Sequence, residues 1–391
     1  MSPPTARAGS SRLAHRIQYR VGHGGFHATI VENAASKRDL VYVYDVGAKP
    51  DKSELLVAIN RFIDELSTRK ITRVDYIYLS HIDEDHVNGL RELLDALANH
   101  RPKITVDNVV LPWLSPVQKL LTQSRNNHRQ PGTVVTNLAG SDEDADEYLT
   151  GLGAGNVIRI TGEGEDGAPI STSTTIPSGT PLLPATIPGW LLLPIKNPTP
   201  MNFEALFRSE LSTLLRPFRL NPNNPADHEN ILRDRRAELH KALVKVAPKV
   251  GVSSKKIANW SSLALLHGST TPAQACLVPT GPQHVNLQCE HGWLHTGDLP
   301  VANAAVWANL SSELKSASLA SPLCVVVSPH HGSGRDHEDA LYDDTKPGTI
   351  ILTTGTKLTG VNRGKPSYSY NLARVQGKAS SIGATVVELK N

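Results

Sequence analysis

Residues 78–89 read Tyr78-Leu79-Ser80-His81-Ile82-Asp83-Glu84-Asp85-His86-Val87-Asn88-Gly89, and the reading of this stretch decides the fold. Four metal-ligand side chains, His81, Asp83, Asp85 and His86, fall within six residues, directly after the apolar run Val74, Tyr76, Ile77, Tyr78 and Leu79. That run predicts a buried strand, and a helix with Leu90, Leu93, Leu94 and Leu97 on one face follows Gly89. A strand end is rigid, and the turn after it converges side chains on one point. Imidazole beside carboxylate suits zinc, manganese or iron better than calcium or magnesium. The plainer alternative is a solvated turn whose Asp83, Glu84 and Asp85 complement the positive end of the helix dipole.

The 391 residues suffice for a substantial core, and a formal charge of +3 is too small to argue for nucleic acid or a membrane surface. Three dispersed cysteines without CxxC spacing predict neither a disulfide framework nor a thiolate zinc site. The Ser/Pro/Arg-rich start has no secretory apolar core, and no run is long enough to cross a bilayer, so the expectation is a cytoplasmic protein.

Three strands are expected at 13–21, 26–32 and 40–45, then a helix capped by Ser53, the strand before His81, and a strand at 106–111. Helices are expected at 114–124, 143–149, 203–215 and 227–246. Later strands are expected at 190–195, 262–266, 292–296, 323–328, 349–353 and 386–389, with helices at 302–314, 336–342 and 368–376. In each half, meandering strands precede strands that alternate with helices, which predicts an α/β fold of two sheets packed face to face with helices outside. Residues 1–12 read as a flexible terminus and 13–391 as one domain. Insertions fall near 113–160 and 197–256, and the Gly/Ser/Thr/Pro-rich stretch 162–189 reads as a mobile loop.

Two further segments repeat the strand-end pattern. In Leu294-His295-Thr296-Gly297-Asp298-Leu299-Pro300, Asp298 can bridge two cations or merely cap a helix. In Val325-Val326-Val327-Ser328-Pro329-His330-His331-Gly332-Ser333-Gly334, a turn brings adjacent histidines to one cavity, where one imidazole binds metal and another serves as an acid.

Ser80-His81-x-Asp83-x-Asp85-His86-x-x-Gly89, then Thr296-Gly297-Asp298, then Pro329-His330-His331-Gly332-Ser333, resembles the metallo-β-lactamase superfamily. It is most similar to the nuclease-like domain of bacterial competence (DNA-uptake) channel proteins. Tyr19-Arg20-Val21-Gly22-His23-Gly24 with Tyr44-Asp45-Val46-Gly47 resembles the opening hairpin. Asn259-Trp260-Ser261-Ser262-Leu263 and Asn362-Arg363-Gly364-Lys365-Pro366 resemble later segments. The resemblance implies a four-layer αββα metallo-β-lactamase sandwich with inserted helices and loops. By position, His81 and Asp83 hold one metal, Asp85 and His86 the other, Asp298 bridges them, and His330 completes the second site. His331 binds substrate phosphate or protonates the leaving group, although these two histidines can exchange roles. Asp45 buttresses the ligand turn.

Two departures stand out. Most of the superfamily has His where this chain has Asp83, and the harder carboxylate favours manganese or iron over zinc. No clear middle histidine motif appears; His228, His240, His267, His284, His291 and His295 are the candidates. The expected cofactors are one or two divalent transition metals, manganese or zinc, with iron as an alternative. Paired cations lower the pKa of a shared water and clamp the oxygens of an in-line displacement, with Asp85 accepting the nucleophile's proton. Ser333, Arg335, Arg363 and Lys365, with Arg374, are expected at the mouth and suit a polyanion. The expected function is a phosphodiesterase or nuclease acting on DNA or RNA. The competing readings are a hydrolase of a small ester, thioester, lactone or cyclic nucleotide, and a non-enzymatic subunit binding a protein through its insertions.

Overall fold

The computed structural model describes residues 14–33, 38–49, 52–125, 133–162, 174–182, 184, 187–200, 202–252, 254, 257–270, 280–281, 284–288, 292–317, 323–333, 338–353 and 367–389. Its strands, in chain order, are β1 (Ala14–Tyr19), β2 (His23–Val31), β3 (Leu40–Lys49), β4 (Arg73–Tyr78), β5 (Thr105–Pro112), β6 (Ala154–Thr161), β7 (Thr174–Pro177), β8 (Trp190–Lys196), β9 (Leu263–Ser269), β10 (Thr280–Gly281), β11 (His284–Gln288), β12 (Trp293–His295), β13 (Val325–Val327), β14 (Thr349–Leu352) and β15 (Thr385–Glu388). One sheet runs β10-β11-β1-β2-β3-β4-β5-β6-β7 and the other β15-β14-β13-β12-β9-β8. In each, an antiparallel meander gives way to parallel strands. The change comes at β3–β4 in the first sheet and at β12–β13 in the second.

Alternation along the strands builds the layers. In β8, Trp190 and Leu192 face inward and pack with Tyr42, Tyr44, Tyr78, Val110, Leu263 and Leu265 between the sheets. Leu191, Leu193 and Ile195 face outward and meet Phe203, Phe207 and Leu211 of the helix Phe203–Leu215. On the far side of the first sheet, Leu55, Ile59 and Phe62 of Ser53–Thr68 and Leu93 and Leu97 of Leu90–Asn99 pack on Ile77, Val106 and Val109. Helix, sheet, sheet, helix: the fold is a four-layer αββα sandwich. Among the described residues, no helix is long and apolar enough to cross a membrane.

Several local expectations need correction. Ser53 is the first helical residue rather than the cap; Lys52 takes the cap position without a side-chain bond. The helix expected over 227–246 is two, Pro225–Asp234 and Arg236–Val246, because Arg235 leaves helical geometry (φ −131°, ψ 29°). Within 113–160, β6 joins the first sheet in parallel with β5, and β7 pairs with β6 from inside 162–189. The helices of 197–256 pack their apolar faces on the outer core of the second sheet. Cys324 is disulfide-bonded, against the expectation from cysteine spacing.

Candidate metal centre

The site lies beyond the carboxyl ends of β4, β12 and β13, where three turns meet. After Tyr78, Leu79 N donates to Val110 O (2.8 Å), and Ser80 O accepts from Leu263 N (2.6 Å), which ties the turn to the opposite sheet. A single helical turn, Glu84–Val87, then carries Asp85 and His86. Asn88 clamps that turn to β3, with Nδ2 donating to Ala48 O (2.8 Å) and Oδ1 accepting from Ala48 N (3.0 Å). Gly47 is required here, since a Cβ on it would lie 2.4 Å from both Asp85 C and His86 N.

Two local distortions aim the remaining groups. The β2–β3 register shifts between Phe26 and His27, and Asp45, opposite that shift, has φ 56°. A bulge of this kind redirects one side chain out of the alternation. Asp45 accordingly accepts from Ser80 N (2.6 Å) and Ser80 Oγ (2.8 Å), and from His86 Nδ1 (2.7 Å). The bond to Asp45 puts the His86 proton on Nδ1 and turns Nε2 into the site. In the third turn His330 (φ 45°, ψ 54°) and His331 (φ 55°, ψ 23°) are both left-handed. This rare backbone lets consecutive side chains share one cavity. His330 N donates to Gly297 O (2.9 Å), joining the second and third turns.

Asp298 is the meeting point. Its Oδ1 lies 3.3 Å from His86 Nε2 and 3.8 Å from His331 Nε2; its Oδ2 lies 3.6 Å from His81 Nε2 and 3.5 Å from His330 Nε2. Asn259 Nδ2 donates to the same Oδ2 (3.3 Å). Asp298 is not a helix cap, because Asn303 caps the following helix, Ala304–Ser316. Asp83 Oδ2 is 3.7 Å from His81 Nε2 and makes no cap bond to the turn it precedes. Asp85 Oδ2 faces His331 Nε2 (3.8 Å) and His23 Nε2 (3.3 Å), while its Oδ1 accepts from Lys49 Nζ (2.9 Å).

His81, Asp83, Asp85, His86, Asp298, His330, His331 and Asp45 are thus brought together. Sequence position grouped His330 with Asp85; the geometry sets His331 beside Asp85, buried, with Nδ1 on Thr353 Oγ1 (3.0 Å), and sets His330 by Asp298 Oδ2, 30% exposed. Ser333 donates its backbone N–H to His330 O (2.9 Å), and Arg374 is exposed and paired with Asp339. Arg335, Arg363 and Lys365 lie outside the described residues. His23 and Lys49, cross-strand partners on β2 and β3, were not anticipated. The one signal available for His23, its setting between Gly22 and Gly24 after a strand, does not say what it faces. Of the candidate middle histidines, His228 bonds Pro222 O and His240 is exposed. His284 sits against Tyr19, and His267 and His295 lie between the sheets. His291 is outside the described residues.

The electrostatics are those of a cation site holding a proton. Burial opposes ionised Asp298, yet His330, His86 and His81 hold its pKa well below the carboxylate range. Burial likewise opposes ionised Asp85, which His23, His86 and Lys49 keep charged. Burial disfavours a charged His86, yet Asp45 and Asp298 raise its pKa well above the usual histidine value. Burial lowers His331 and His81, which favours the neutral, ligating form. Ring nitrogens His81 Nε2 and His331 Nε2 are buried without a hydrogen-bond partner, and His86 Nε2 and Asp298 Oδ1 have only their mutual contact at 3.3 Å. Each such group costs about 1–3 kcal/mol when unsatisfied. Divalent cations fit this donor set and would satisfy all four atoms.

No protein-family model matches the chain, and no curated protein matches it. Among solved structures it is similar to unliganded yeast PDE1 (10% identity, 96% of this chain and 97% of that one, TM-score 0.43). It is also similar to a CmlA beta-hydroxylase variant (10% identity, 96% and 52%, TM-score 0.37). The third likeness is to a long form RNase Z from yeast (11% identity, 81% and 32%, TM-score 0.33). Likeness at this level decides nothing about chemistry, so the functional reading rests on the site.

Proposed function

We propose that the chain is a metal-dependent hydrolase binding a pair of divalent cations, and that it cleaves a phosphodiester in DNA or RNA. The observation that carries the reading is Asp298, whose two oxygens face different histidine pairs, His86 with His331 and His81 with His330. A carboxylate so placed is suited to bridging two cations. In this reading His81 and Asp83 hold one cation, Asp85, His86 and His331 the other, with His23 beside the second. Cations bound there supply Lewis acidity and lower the pKa of water.

The chain's own groups do the rest. Asp85, kept ionised, orients the attacking water by accepting its hydrogen bond. His330, reachable from solvent, donates to the leaving oxygen or holds the phosphate. Asp45 fixes His86 through Nδ1. Support for an anionic substrate comes from Lys49, a partly exposed ammonium beside Asp85 at the rim, whose pKa is raised by Asp85 against the opposing effect of burial. The narrower likeness to competence-type nucleases favours nucleic acid, and manganese over zinc at the Asp83 position.

The test is cleavage of a chromogenic phosphate bis-ester and of end-labelled DNA and RNA with manganese, zinc and magnesium, alongside metal analysis. Asp298→Ala should lose both metal and cleavage, whereas His330→Gln should keep metal and lose kcat by roughly 100-fold or more, the scale of a lost proton donor. Cleavage at the wild-type rate by Asp298→Ala would sink the mechanism. Hydrolysis of a lactone or thioester in preference to every phosphodiester would overturn the substrate class.

A further inference from the structure

A second histidine cluster lies between the sheets, outside the site described above. His27 comes from β2, His267 from β9 and His295 from β12, so the cluster joins the two sheets. All three are 0–1% exposed. Their ring centroids are 4.3 Å (His27–His295), 5.3 Å (His267–His295) and 5.7 Å (His27–His267) apart, and one nitrogen of each ring lies within 4.8 Å of one nitrogen of the other two.

What points to a ligand is the hydrogen bonding. His27 Nε2 meets Thr29 Oγ1 (2.8 Å), and His267 Nδ1 meets Tyr42 Oη (2.5 Å). The other nitrogen of each ring, His27 Nδ1 and His267 Nε2, is buried without a hydrogen-bond partner, and so is His295 Nε2. A hydroxyl can accept the ring proton at the bonded nitrogen, and in that tautomer the other nitrogen carries a lone pair. Burial, reinforced by the Arg16 guanidinium, holds the pKa of His267 and His295 well below the usual value, and burial with His295 does so for His27. The rings are therefore neutral, the form that binds metal. An apolar core would be expected here; three polar rings facing one another need a common partner.

We propose that His27, His267 and His295 form a second cation site that takes one d10 ion, zinc or monovalent copper, and ties the two sheets together. Imidazole alone suits zinc and copper and disfavours magnesium and calcium. Ion–nitrogen bonds of about 2.0–2.1 Å require the rings to close in from the present spread when the ion binds. Arg16, stacked 5.5 Å from the Trp293 ring that also contacts His27, adds positive charge nearby. That charge favours the monovalent ion over zinc. A cavity of about 30 Å³, the room of about one water, is lined by His27 and His295 and also by His86, Asp298 and His331.

The test separates this site from the first. Asp85→Ala/Asp298→Ala protein, shown folded by near-ultraviolet circular dichroism, is loaded with zinc or, under reducing conditions, with monovalent copper, then desalted. One retained equivalent with a three-nitrogen imidazole shell by X-ray absorption is expected, and the tighter of the two ions identifies the metal. Adding His267→Gln should remove that equivalent. A folded Asp85→Ala/Asp298→Ala protein that retains neither ion overturns the proposal. Should the variants not fold, wild-type crystals soaked with each ion give an anomalous peak among the three rings if the proposal holds; no peak there at either absorption edge overturns it.

Discussion

At the scale of single residues, Asp45 holds the candidate site together from behind its histidines. Its carboxylate takes the His86 Nδ1 proton at 2.7 Å and two bonds from Ser80. Its φ of 56° is a conformation that asparagine also adopts readily. Asp45→Asn should therefore fold, yet it weakens the orientation and basicity of His86. Metal affinity should drop by about 10- to 100-fold, the cost found when such outer partners are removed. Competition titration with a chromophoric chelator measures it, and unchanged affinity would show that Asp45 serves packing alone. His81, Asp83, Asp85 and His86 were legible from sequence because six consecutive residues on one turn need no tertiary information. Asp298 and the His330–His331 pair were legible because each ends a β-branched or apolar run. His23 was not. Its approach to Asp85 depends on the β2–β3 hairpin closing in one register, which residue types around His23 do not specify.

At the scale of elements, the Glu84–Val87 turn is too short to hold itself. It borrows its position from β3 through Asn88, through Gly89 N on Val46 O (2.8 Å), and through the bare Cα of Gly47. Gly47→Ala places a methyl 2.4 Å from the backbone of Asp85 and His86. Backbone cannot step aside as a side chain can, so the turn must lift. The expected result is destabilisation by about 1–3 kcal/mol together with loss of metal, although no ligand is altered. Urea unfolding and metal analysis read the two effects. Gly151→Ala is the control, since nothing lies within 4 Å of its Cβ position. If both variants behave alike, close packing of the turn on β3 is not what positions it. The helices flanking the ligand turns were legible from their apolar spacing. The segment holding β6 was not, because Ala154–Thr161 follows a run of helices and only pairing with β5 makes it part of the sheet. Nor was the break at Arg235, where an unbroken amphipathic pattern runs across two helices.

At the scale of the whole molecule, the sandwich buries more imidazole than the candidate metal centre holds, and this couples stability to pH. The inter-sheet rings face one another, Tyr42, pushed up to about 12 chiefly by burial, and the Arg16 charge; none of these partners favours the imidazolium. In the metal-free folded protein His27, His267 and His295 titrate well below 6.5. In the unfolded chain they protonate near 6.5. The sign follows: below pH 6.5 the unfolded state binds more protons than the folded state, so stability is present above 6.5 and is lost as the pH falls. Each of the three rings contributes a limiting slope of about 1.4 kcal/mol per pH unit. His331 and His81, also lowered, act in the same direction, while His86, raised, acts in the opposite one: its contribution is present below 6.5 and lost as pH rises through its folded value. Asp85 and Asp298, depressed well below the carboxylate range, lose theirs only in stronger acid. The inter-sheet share is isolated by comparison with His267→Gln, which keeps a polar group by Tyr42 but removes one titrating ring. Urea unfolding in chelator between pH 5 and 8 should show wild-type stability falling below 6.5, and the variant's slope shallower by about one proton's worth. Parallel curves for the two proteins would mean that these rings are not held neutral by the fold, and that the sandwich tolerates their charge.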